Sequence, residues 1–303
     1  MQAASTIDVR TALKEGIAQL EAAEVPSHTL AAELLLMHAL GCDRTWLYSH
    51  PEEIVTPATA ERYFALVARR AAGEPTQYLT GKQEFWGLEF EVTPAVLIPR
   101  PETEHVIEVV VERLGSRSSR RERNAEYKRA HLRIADVGTG SGCLAIALAR
   151  ELPNAEIFAT DVSGAALAVA RRNAARHGVS ARVHLLECDL LGPFSASPLP
   201  FDVIVSNPPY VARNDADELP REVRDHEPHA ALFGGPTGVE IYARLIEQAG
   251  SLLRPGGILV LELGYNSLER VRAIFDAQLE WTNVAITLDL AAIERVLAAE
   301  RVA

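Results

Sequence analysis

Residues 132–151 read LRIADVGTGSGCLAIALARE. The apolar run at the start of this stretch predicts a buried strand over Leu132–Val137, and the apolar residues after the glycines predict a helix over Cys143–Glu151. Glycines at alternate positions between them allow a tight turn, in which a ligand can approach the backbone N–H groups where the helix begins. The stretch therefore predicts one strand–loop–helix unit of a parallel sheet with helices packed on it.

The glycine loop itself limits the kind of ligand. Its spacing is G-x-G-x-G, and its five residues are Gly138, Thr139, Gly140, Ser141 and Gly142. This spacing is neither the G-x-G-x-x-G of dinucleotide-binding folds nor a Walker loop, which ends in Lys-Ser or Lys-Thr. The loop therefore disfavours NAD and the phosphates of ATP, and a plain strand–helix turn without a ligand is the alternative.

Downstream of this unit, strands and helices continue to alternate. Helices are predicted over Ser163–His177 and Val239–Leu253, and strands over Glu156–Thr160, Val183–Glu187, Phe201–Ser206 and Ile258–Leu263. This order is typical of an α/β fold, in which helices cover a parallel sheet. The tail at Ala291–Arg301 has helical propensity, although a closing antiparallel strand also fits there.

The chain before this sheet has a different pattern. Residues 5–72 carry apolar residues at helical spacing without a strand pattern, which predicts a small helical bundle. Residues 83–98 partly alternate apolar and polar side chains around Gly87, which indicates a hairpin or an extended connector, and a helix follows over Glu102–Leu114. We therefore expect three parts: a helical N-terminal domain at 1–80, a hairpin connector at 81–100 and a larger α/β domain at 101–303.

The composition excludes several classes of protein. Of the 303 residues, 48% are hydrophobic, which argues against a wholly disordered chain. No apolar stretch reaches the roughly 18 residues needed to span a bilayer, and the start lacks the basic and apolar regions of a secretory signal. The three cysteines form neither a disulfide framework nor a zinc site. The sequence thus predicts a cytoplasmic protein without a membrane contact or a bound metal.

Charge is distributed unevenly along the chain. The net charge is −11, of which residues 131–303 contribute −7, and such an acidic body repels the phosphates of nucleic acids. One stretch, Arg113–Arg133, is locally basic, with 8 basic and 2 acidic residues. It is either a solvated linker or a contact point for an acidic partner or RNA.

Two acidic residues follow predicted strands close to the glycine loop. Asp161 ends the second strand, where a carboxylate can accept hydrogen bonds from both ribose hydroxyls of a nucleoside; capping the next helix is its alternative role. Asp189 follows the third strand and either reaches an exocyclic adenine amine or is only a loop carboxylate. With the glycine loop, these residues describe a nucleoside site along the carboxyl edge of the sheet.

The predicted strand Phe201–Ser206 runs directly into Asn207, Pro208, Pro209 and Tyr210. The prolines lack N–H groups and fix φ, so their carbonyl oxygens can point outward from a rigid turn beside the acceptor oxygen of Asn207. Two acceptors and the flat ring of Tyr210 suit a planar –NH2 group, whose two hydrogens and face they would engage. A mere Asn-Pro turn is the alternative.

The glycine loop, the acidic strand end and Asn-Pro-Pro-Tyr together resemble the class I S-adenosylmethionine-dependent methyltransferases that act on amino nitrogens. Further segments resemble one group of them, the peptide chain release factor glutamine N5-methyltransferases of the HemK/PrmC type: Gly73–Gly81, Glu84–Phe90, Val96–Glu104, Asp225–Pro228 and Ala231–Gly235. The resemblance covers nearly the whole chain. It implies a Rossmann-like, mostly parallel seven-stranded sheet, a small all-helical N-terminal domain for substrate recognition joined by a β-hairpin, and a tail that forms the last strand.

The resemblance also implies the reaction and its site. The methyl group of S-adenosyl-L-methionine would pass to the side-chain amide nitrogen (N5) of the glutamine in the Gly-Gly-Gln motif of peptide chain release factors, which supports translation termination. Asn207, Pro208, Pro209 and Tyr210 would position the amide. The cofactor would be held by the glycine loop and by Asp161, Asp189, Leu190 and Asn207.

Departures and alternatives accompany this resemblance. Leu190 stands where some members carry a tryptophan against the adenine, and Ala292 stands where glycine is common. An N6-adenine methyltransferase acting on DNA or RNA is the first alternative, which the acidic body disfavours. A non-catalytic nucleoside-binding regulator is the second, and it would not need Asn-Pro-Pro-Tyr intact. A monomer is the simplest assembly.

Overall fold

A computed structural model describes residues 7–115, 131–196 and 199–302 of the chain. The described residues form two units. The first comprises residues 7–82 and Pro220–His226, and the second comprises the residues from Gln83 to Leu219 and from Glu227 onward. The first unit is therefore built from two separate stretches of the chain.

The first unit is mostly helical, as predicted. Its elements up to Thr80 are β1 (Ile7–Asp8), α1 (Val9–Ala22), α2 (His28–Leu40), α3 (Arg44–Ser49), β2 (Ile54–Val55), α4 (Pro57–Ala71) and α5 (Thr76–Thr80). The strands β1 and β2 form a two-residue antiparallel pair, which the sequence pattern does not predict. The sequence explains where α4 begins. Thr56 caps the helix by accepting a hydrogen bond from the N–H of Thr59, and Pro57 at the first helical position has no N–H group that would need a partner.

The core of the first unit is centred on Tyr63, whose side chain is fully buried. A Cβ atom at Gly16 would lie 1.8 Å from the Tyr63 hydroxyl oxygen, so the glycine in α1 leaves room for this ring. The later stretch of the unit is attached by an ion pair of 2.5 Å between Arg70 of α4 and Glu222. Since Arg70 is only 5% exposed, this partner compensates a charge that would otherwise be buried alone.

The second unit begins with a hairpin. Strands β3 (Lys82–Phe85) and β4 (Leu88–Glu91) are joined by Trp86 and Gly87, whose φ angles of 54° and 69° suit a type I′ turn. A 3-10 turn at Pro101–Thr103 then leads into α6 (Glu104–Gly115). The predicted hairpin and the predicted helix are both confirmed.

A seven-stranded sheet forms the centre of the second unit. The remaining elements, of which only α9 belongs to the first unit, are β5 (Arg133–Val137), α7 (Cys143–Glu151), β6 (Glu156–Asp161), α8 (Gly164–Arg176), β7 (Val183–Glu187), β8 (Phe201–Ser206), β9 (Val211–Ala212), α9 (Arg221–His226), α10 (His229–Leu232), β10 (Phe233–Gly235), α11 (Glu240–Leu252), β11 (Leu253–Glu262), α12 (Leu268–Asp276), β12 (Trp281–Leu288) and β13 (Glu294–Arg301). The strand order is β12-β13-β11-β8-β5-β6-β7. Strand β13 is antiparallel to both neighbours, whereas the other pairs are parallel. This architecture confirms the predicted α/β class.

Helices cover both faces of this sheet. Along β8, Val203 and Val205 pack into a core with α6 and α7, whereas Ile204 packs into a second core with α11 and α12. Successive side chains of a strand point to opposite faces, so both faces of the sheet are buried. Within the described ranges, no helix is both long and apolar enough to cross a membrane.

The order of the strands determines where a ligand can bind. From β5 the chain adds β6 and β7 on one side, and it then crosses to add β8 and β11 on the other side. In such sheets the crevice at the carboxyl ends of the strands, where the order reverses, is the usual ligand site. Here that crevice lies between the ends of β5 and β8.

The tail is a strand, as the resemblance implied. Residues Val296 to Glu300 of β13 pair with β11, and β12 pairs with the other edge of β13. Burial of Val296, Leu297 and Ala299 inside the sheet overrides the helical propensity of Ala291–Arg301. Helix α12, strand β12 and the short parallel pair of β9 and β10 are elements that the sequence pattern does not predict.

Candidate active site

A cavity of about 210 Å³ lies at the predicted edge of the sheet, within the second unit. Most of the residues predicted for the site line it: Gly138, Thr139, Gly140, Ser141, Asp161, Asp189, Leu190, Asn207 and Pro209. Three other predicted residues, Gly142, Pro208 and Tyr210, do not line it. The glycine loop, the acidic strand ends and the start of the Asn-Pro-Pro-Tyr turn thus meet around one space.

The glycine loop is held by its neighbouring strand. The N–H groups of Gly138 and Thr139 both donate to the carbonyl oxygen of Thr160 at 2.9 Å. The φ angles of Gly138, Gly140 and Gly142 are 74°, 56° and 83°, in the left-handed region that favours glycine. Gly142 is also the residue that precedes α7. It therefore shapes the turn without lining the cavity.

Asp161 is fixed by the backbone on both sides. Its Oδ2 accepts a hydrogen bond of 2.9 Å from the N–H of Gly140, and its Oδ1 accepts one of 2.9 Å from Ser163. The helix α8 is capped by the hydroxyl oxygen of Ser163 rather than by Asp161. Burial raises the pKa of Asp161, and the backbone hydrogen bonds oppose this shift. Lone pairs of both carboxylate oxygens remain for a ligand hydroxyl.

A second carboxylate, Asp136, faces the same cavity. It is 1% exposed, and its Oδ2 accepts hydrogen bonds from the Thr139 hydroxyl at 2.6 Å and from the N–H of Ala145 at 3.0 Å. Its Oδ1 has no hydrogen-bond partner among the described residues. Burial raises the pKa of Asp136 to about 7. Because buried polar atoms are nearly always paired, this oxygen indicates a polar or cationic ligand in the cavity.

The turn after β7 forms another wall. The N–H of Cys188 donates to the carbonyl oxygen of Asp161 at 3.0 Å, which ties the turn to the end of β6. Asp189 forms an ion pair of 2.5 Å with Arg244 of α11, a partner that the sequence analysis does not identify. Leu190 has a φ of 49°, an uncommon angle for a bulky residue, and it lines the cavity beside Asp189.

The Asn-Pro-Pro-Tyr turn leaves the end of β8. The hydroxyl of Ser206 donates to the carbonyl oxygen of Val137 at 2.7 Å, so the turn starts at a fixed point beside β5. Asn207 and Pro209 reach the cavity, whereas Pro208 is buried. Burial raises the pKa of Tyr210 to about 12, which keeps its hydroxyl protonated.

Glycines let the rest of the protein pack directly on this turn. A Cβ atom at Gly234 would lie 2.4 Å from the carbonyl oxygen of Pro209, and one at Gly238 would lie 2.3 Å from that of Tyr210. A Cβ atom at Gly264 would lie 2.5 Å from Cδ2 of the Tyr210 ring. These three glycines therefore hold the turn in place by close contact. For Gly234, which belongs to the segment Ala231–Gly235 that resembles the family, this contact supplies the physical reason.

Two residues outside the Asn-Pro-Pro-Tyr motif hold the side chain of Asn207, one directly and the other through the first. Its Nδ2 donates to the hydroxyl oxygen of Thr103 at 3.2 Å, and that hydroxyl donates to Oε2 of Glu262 at 2.6 Å. Glu262 is 2% exposed, and burial raises its pKa to about 7, against the effects of Thr103 and Arg295. The pairing of β11 with β8 places Glu262 at the same level of the sheet as Asn207. Glu262 directly follows the residue that pairs with Ser206, just as Asn207 directly follows Ser206.

A buried ion pair fastens another wall of the cavity. Glu227, 4% exposed, pairs with the guanidinium of Arg100, and its Oε2 accepts a hydrogen bond of 3.2 Å from the N–H of Ile98. The neighbouring residues Val96 and Pro99, and Pro228 after Glu227, line the cavity. This ion pair therefore joins two lining segments that are far apart in sequence.

The part of the chain that is described contains no cluster of potential metal ligands. No group of three or more His, Cys, Asp or Glu side chains there could hold an ion. The polar side chains around the cavity are instead carboxylates, hydroxyls, two thiols and one amide. Such a set suits a nucleoside with a charged amino-acid portion.

Known proteins match the chain over most of its length. Residues 11–81 match the PrmC N-terminal domain, and residues 124–222 match the Methyltransferase small domain. The release factor glutamine methyltransferase of Koribacter versatilis is 46% identical over 95% of this chain and 97% of its own. That of Moorella thermoacetica is 44% identical over 97% and 98%. The chain belongs to the release factor glutamine methyltransferase family.

Solved structures of other methyltransferases share the fold. A methyltransferase from Pyrococcus furiosus has a TM-score of 0.50 and 20% identity, over 78% of this chain and 98% of its own. The N-terminal domain of human METTL16 in complex with SAH has a TM-score of 0.51 and 21% identity, over 77% and 82%. At these identities the likeness concerns the fold alone.

Membership of the release factor glutamine methyltransferase family makes the chain an S-adenosyl-L-methionine-dependent methyltransferase. The cavity fits this cofactor on its own chemistry. Asp161 ends β6 where a ribose can be bound, and the unpartnered Oδ1 of Asp136 suits a cationic group. The predicted family and the predicted cofactor are thus both confirmed.

Proposed function

We propose that this member of the family methylates the side-chain amide nitrogen (N5) of the glutamine in the Gly-Gly-Gln motif of peptide chain release factors, in support of translation termination. The observation that carries this proposal is the position of Asn207 and Pro209 in the same cavity as the glycine loop and Asp161. The name shared by the relatives, release factor glutamine methyltransferase, supports a glutamine amide as acceptor.

The cofactor roles in this proposal follow the cavity wall. Gly138, Thr139, Gly140 and Ser141 would hold the methionine portion, Asp161 the ribose, and Asp189 and Leu190 the adenine. These residues would hold S-adenosyl-L-methionine, which would supply an electrophilic methyl carbon to the amide nitrogen and would keep the electron pair of the broken methyl–sulfur bond on its sulfur. Gly142 would act through the geometry of the loop.

The task of the protein is to prepare a poor nucleophile, since the lone pair of an amide nitrogen is delocalised. Oδ1 of Asn207, which lines the cavity, would accept one hydrogen of the –NH2 group and hold the nitrogen in line with the methyl carbon. The carbonyl oxygen of Pro208 is the second acceptor that the sequence predicts, although Pro209 and not Pro208 lines the cavity. One hydrogen stays on nitrogen, and the other passes as a proton to water once the methyl group is transferred, because a protonated amide is a strong acid. Because the ring of Tyr210 packs on Gly264, we assign it the support of this turn from behind.

We also propose a division of labour along the chain. The helical part at 1–80 would recognise the release factor, the hairpin at 81–100 would connect, and residues 101–303 would carry out the methyl transfer. The match of residues 11–81 to the PrmC N-terminal domain supports the first boundary.

The basic stretch lies mostly at 116–130, outside the described residues. Its two described ends have contacts within the second unit: Arg113 donates to the carbonyl oxygen of Asn283 at 3.1 Å, and the Arg133 guanidinium lies 4.8 Å from the centroid of the Phe158 ring. We propose that the stretch is a spacer. Replacing Arg117, Arg120 and Arg121 by glutamine should then leave turnover unchanged, and reduced turnover at low salt would indicate a contact with the substrate.

A labelling experiment tests the proposed reaction. The protein is incubated with methyl-labelled S-adenosyl-L-methionine and either a release factor, the same factor with alanine for the motif glutamine, DNA or RNA. Label should enter only the intact release factor, and Asn207→Ala should lower turnover far more than cofactor affinity. Label in nucleic acid alone would overturn the proposal in favour of the N6-adenine alternative.

Two further proposals concern place and assembly. We propose a cytoplasmic location, where release factors and S-adenosyl-L-methionine meet, and a monomeric enzyme. Light scattering on the purified protein measures the second directly, since a monomer has a mass of 33.0 kDa. Cell fractionation measures the first.

A further inference from the structure

A short chain of hydrogen bonds leads from the cavity into the interior of the second unit. Asn207, which lines the cavity, donates from Nδ2 to the hydroxyl oxygen of Thr103, which also lines it. The Thr103 hydroxyl donates to Glu262, which is buried at the end of β11. Three elements therefore meet here: the turn after β8, the 3-10 turn before α6, and β11.

The number of protons in this chain determines how the Asn207 amide is oriented. A threonine hydroxyl has one proton, and here that proton goes to a carboxylate, which only accepts hydrogen bonds when ionised. The Thr103 oxygen can then only accept, so it must face the –NH2 end of the asparagine. The carbonyl end, Oδ1, is thereby left for a ligand. With the amide reversed, two acceptor oxygens would face each other without a proton between them.

We propose that Thr103 and Glu262 are positioning residues that fix the Asn207 amide with its oxygen available to the substrate. This inference rests on the proposed function, in which that oxygen accepts a hydrogen of the glutamine –NH2 group. A reversed Asn207 would present donors to donors and would repel the same group. The orientation of one amide thus separates a productive site from an unproductive one.

The second hydrogen bond of this series explains why the orientation of the Asn207 amide is held strongly. The bond of 2.6 Å from Thr103 to Glu262 is short and has a carboxylate acceptor, the stronger type of hydrogen bond. Burial raises the pKa of Glu262 to about 7, while the Thr103 hydrogen bond, Arg295 of β13 and Arg100 favour its ionised form and Glu102 opposes it. The ionised carboxylate, which prevails above about pH 7, is the form that accepts the Thr103 proton, so the variants are compared in that range.

The test compares two substitutions at one position. Thr103→Val keeps the shape of the side chain and removes the hydroxyl, whereas Thr103→Ser keeps the hydroxyl. We expect Thr103→Val to lower kcat for the release factor by about 10- to 100-fold, with the Kd for S-adenosyl-L-methionine within a factor of about three of the parent. Thr103→Ser should recover most of the lost turnover. Equal kcat values in the two variants would overturn the proposal.

A second readout does not depend on the substrate. The side-chain amide protons of Asn207, assigned by their loss in Asn207→Ala, are followed by NMR for exchange with water. They should be protected in the parent and in Thr103→Ser, and should exchange faster in Thr103→Val. Unchanged protection in Thr103→Val would refute the hydrogen-bond chain, whatever the substrate turns out to be.

These two readouts separate the possible failures. No label in the release factor with the parent enzyme contradicts the proposed function, while the NMR experiment still decides the amide orientation. If melting curves show that Thr103→Val does not fold, Glu262→Gln replaces it: its –NH2 group can donate to Thr103 and so permits both amide orientations. That variant should show a lower kcat and faster exchange at Asn207, and parental values of both would overturn the proposal.

Discussion

Replacing Gly234 by alanine should lower turnover through close backbone contacts at the Asn-Pro-Pro-Tyr turn. The added Cβ atom would lie 2.4 Å from the carbonyl oxygen of Pro209 and 2.8 Å from that of Gly238. The φ of Gly234 lies outside the left-handed region, so alanine is not strained by its own backbone angles. The effect of Gly234→Ala therefore comes from crowding of two carbonyl oxygens, of which that of Pro209 in the Asn-Pro-Pro-Tyr turn is the closer.

The size of the effect follows from the displacement needed. Real Cβ atoms essentially never approach another heavy atom closer than 3.0 Å, so the Pro209 oxygen must move by about 0.6 Å from its 2.4 Å position. Because the two prolines fix φ, this shift is transmitted along the turn to Asn207. A misplacement of about 1 Å at a reacting group can cost on the order of 100-fold in rate, so we expect kcat to fall by about 10- to 100-fold. Overpacking should also cost about 1–3 kcal/mol of unfolding free energy.

The assay measures methyl transfer to the release factor, cofactor affinity by calorimetry and thermal unfolding for each variant. Gly250→Ala is the matched control, because that glycine lies in α11 and its Cβ atom would meet only Trp281 at 3.6 Å. In a helix interior the same substitution should stabilise the fold by about 0.5–1 kcal/mol. A control with parental turnover shows that the loss in Gly234→Ala is specific to its contact with the turn.

Two results would contradict this reasoning. A Gly234→Ala enzyme with a kcat within twofold of the parent would mean that the turn tolerates the displacement or does not position the reacting amide. An equal loss of turnover and of cofactor affinity would mean that the substitution disturbs the whole cavity rather than the acceptor turn.

Two further substitutions test the frame of the site. Glu227→Gln keeps an acceptor for the Ile98 N–H but removes the charge that pairs with Arg100. The unfolding free energy should therefore fall by about 1–2 kcal/mol, and the Kd for the cofactor should rise several-fold. Melting curves measure the first and calorimetry the second, and parental values would show that the ion pair does not stabilise this wall of the cavity. Ala292→Gly should raise the melting temperature by about 2 °C. Ala292 has a left-handed φ of 59°, and this conformation costs an alanine about 1–2 kcal/mol. A lower melting temperature would show that this strain is absent.

The sequence predicts those parts of the fold that depend on local pattern. The strand–loop–helix unit at 132–151 is present as expected because its glycines and apolar runs act within a few residues of one another. The tail is ambiguous on the same basis, since Glu294–Arg301 becomes a strand only through its position between β11 and β12. The strain at Ala292 likewise becomes visible only from its φ angle of 59°.

Prediction of the site has the same limit. Asn207 and Asp161 are recognisable because each directly follows a predicted strand, and parallel strands end at a common edge. Thr103 lies more than one hundred residues before Asn207, and only the packed structure brings the two side chains together. Its role depends on the direction of a proton, for which a sequence pattern has no signal. Residues that reach the ligand are thus easier to predict than residues that orient them.

The charge of the cavity couples cofactor binding to pH. Burial raises the pKa of Asp136 to about 7, so near neutral pH this carboxyl is partly protonated before a ligand binds. S-adenosyl-L-methionine carries a sulfonium and an ammonium, and a cation in this poorly screened space favours the ionised carboxylate. The bound state therefore holds fewer protons than the free state, and affinity must rise with pH until the pH exceeds about 7.

The sign of this coupling can be measured directly. Calorimetry at about pH 6 and about pH 8 should give the weaker binding at the lower pH, together with proton release on binding at about pH 6. In Asp136→Asn the group no longer titrates, so the affinity should be lower overall and its pH dependence smaller. An equal pH dependence in Asp136→Asn would assign the coupling to another carboxylate of the cavity, for which Asp161 is the candidate, because burial raises its pKa as well.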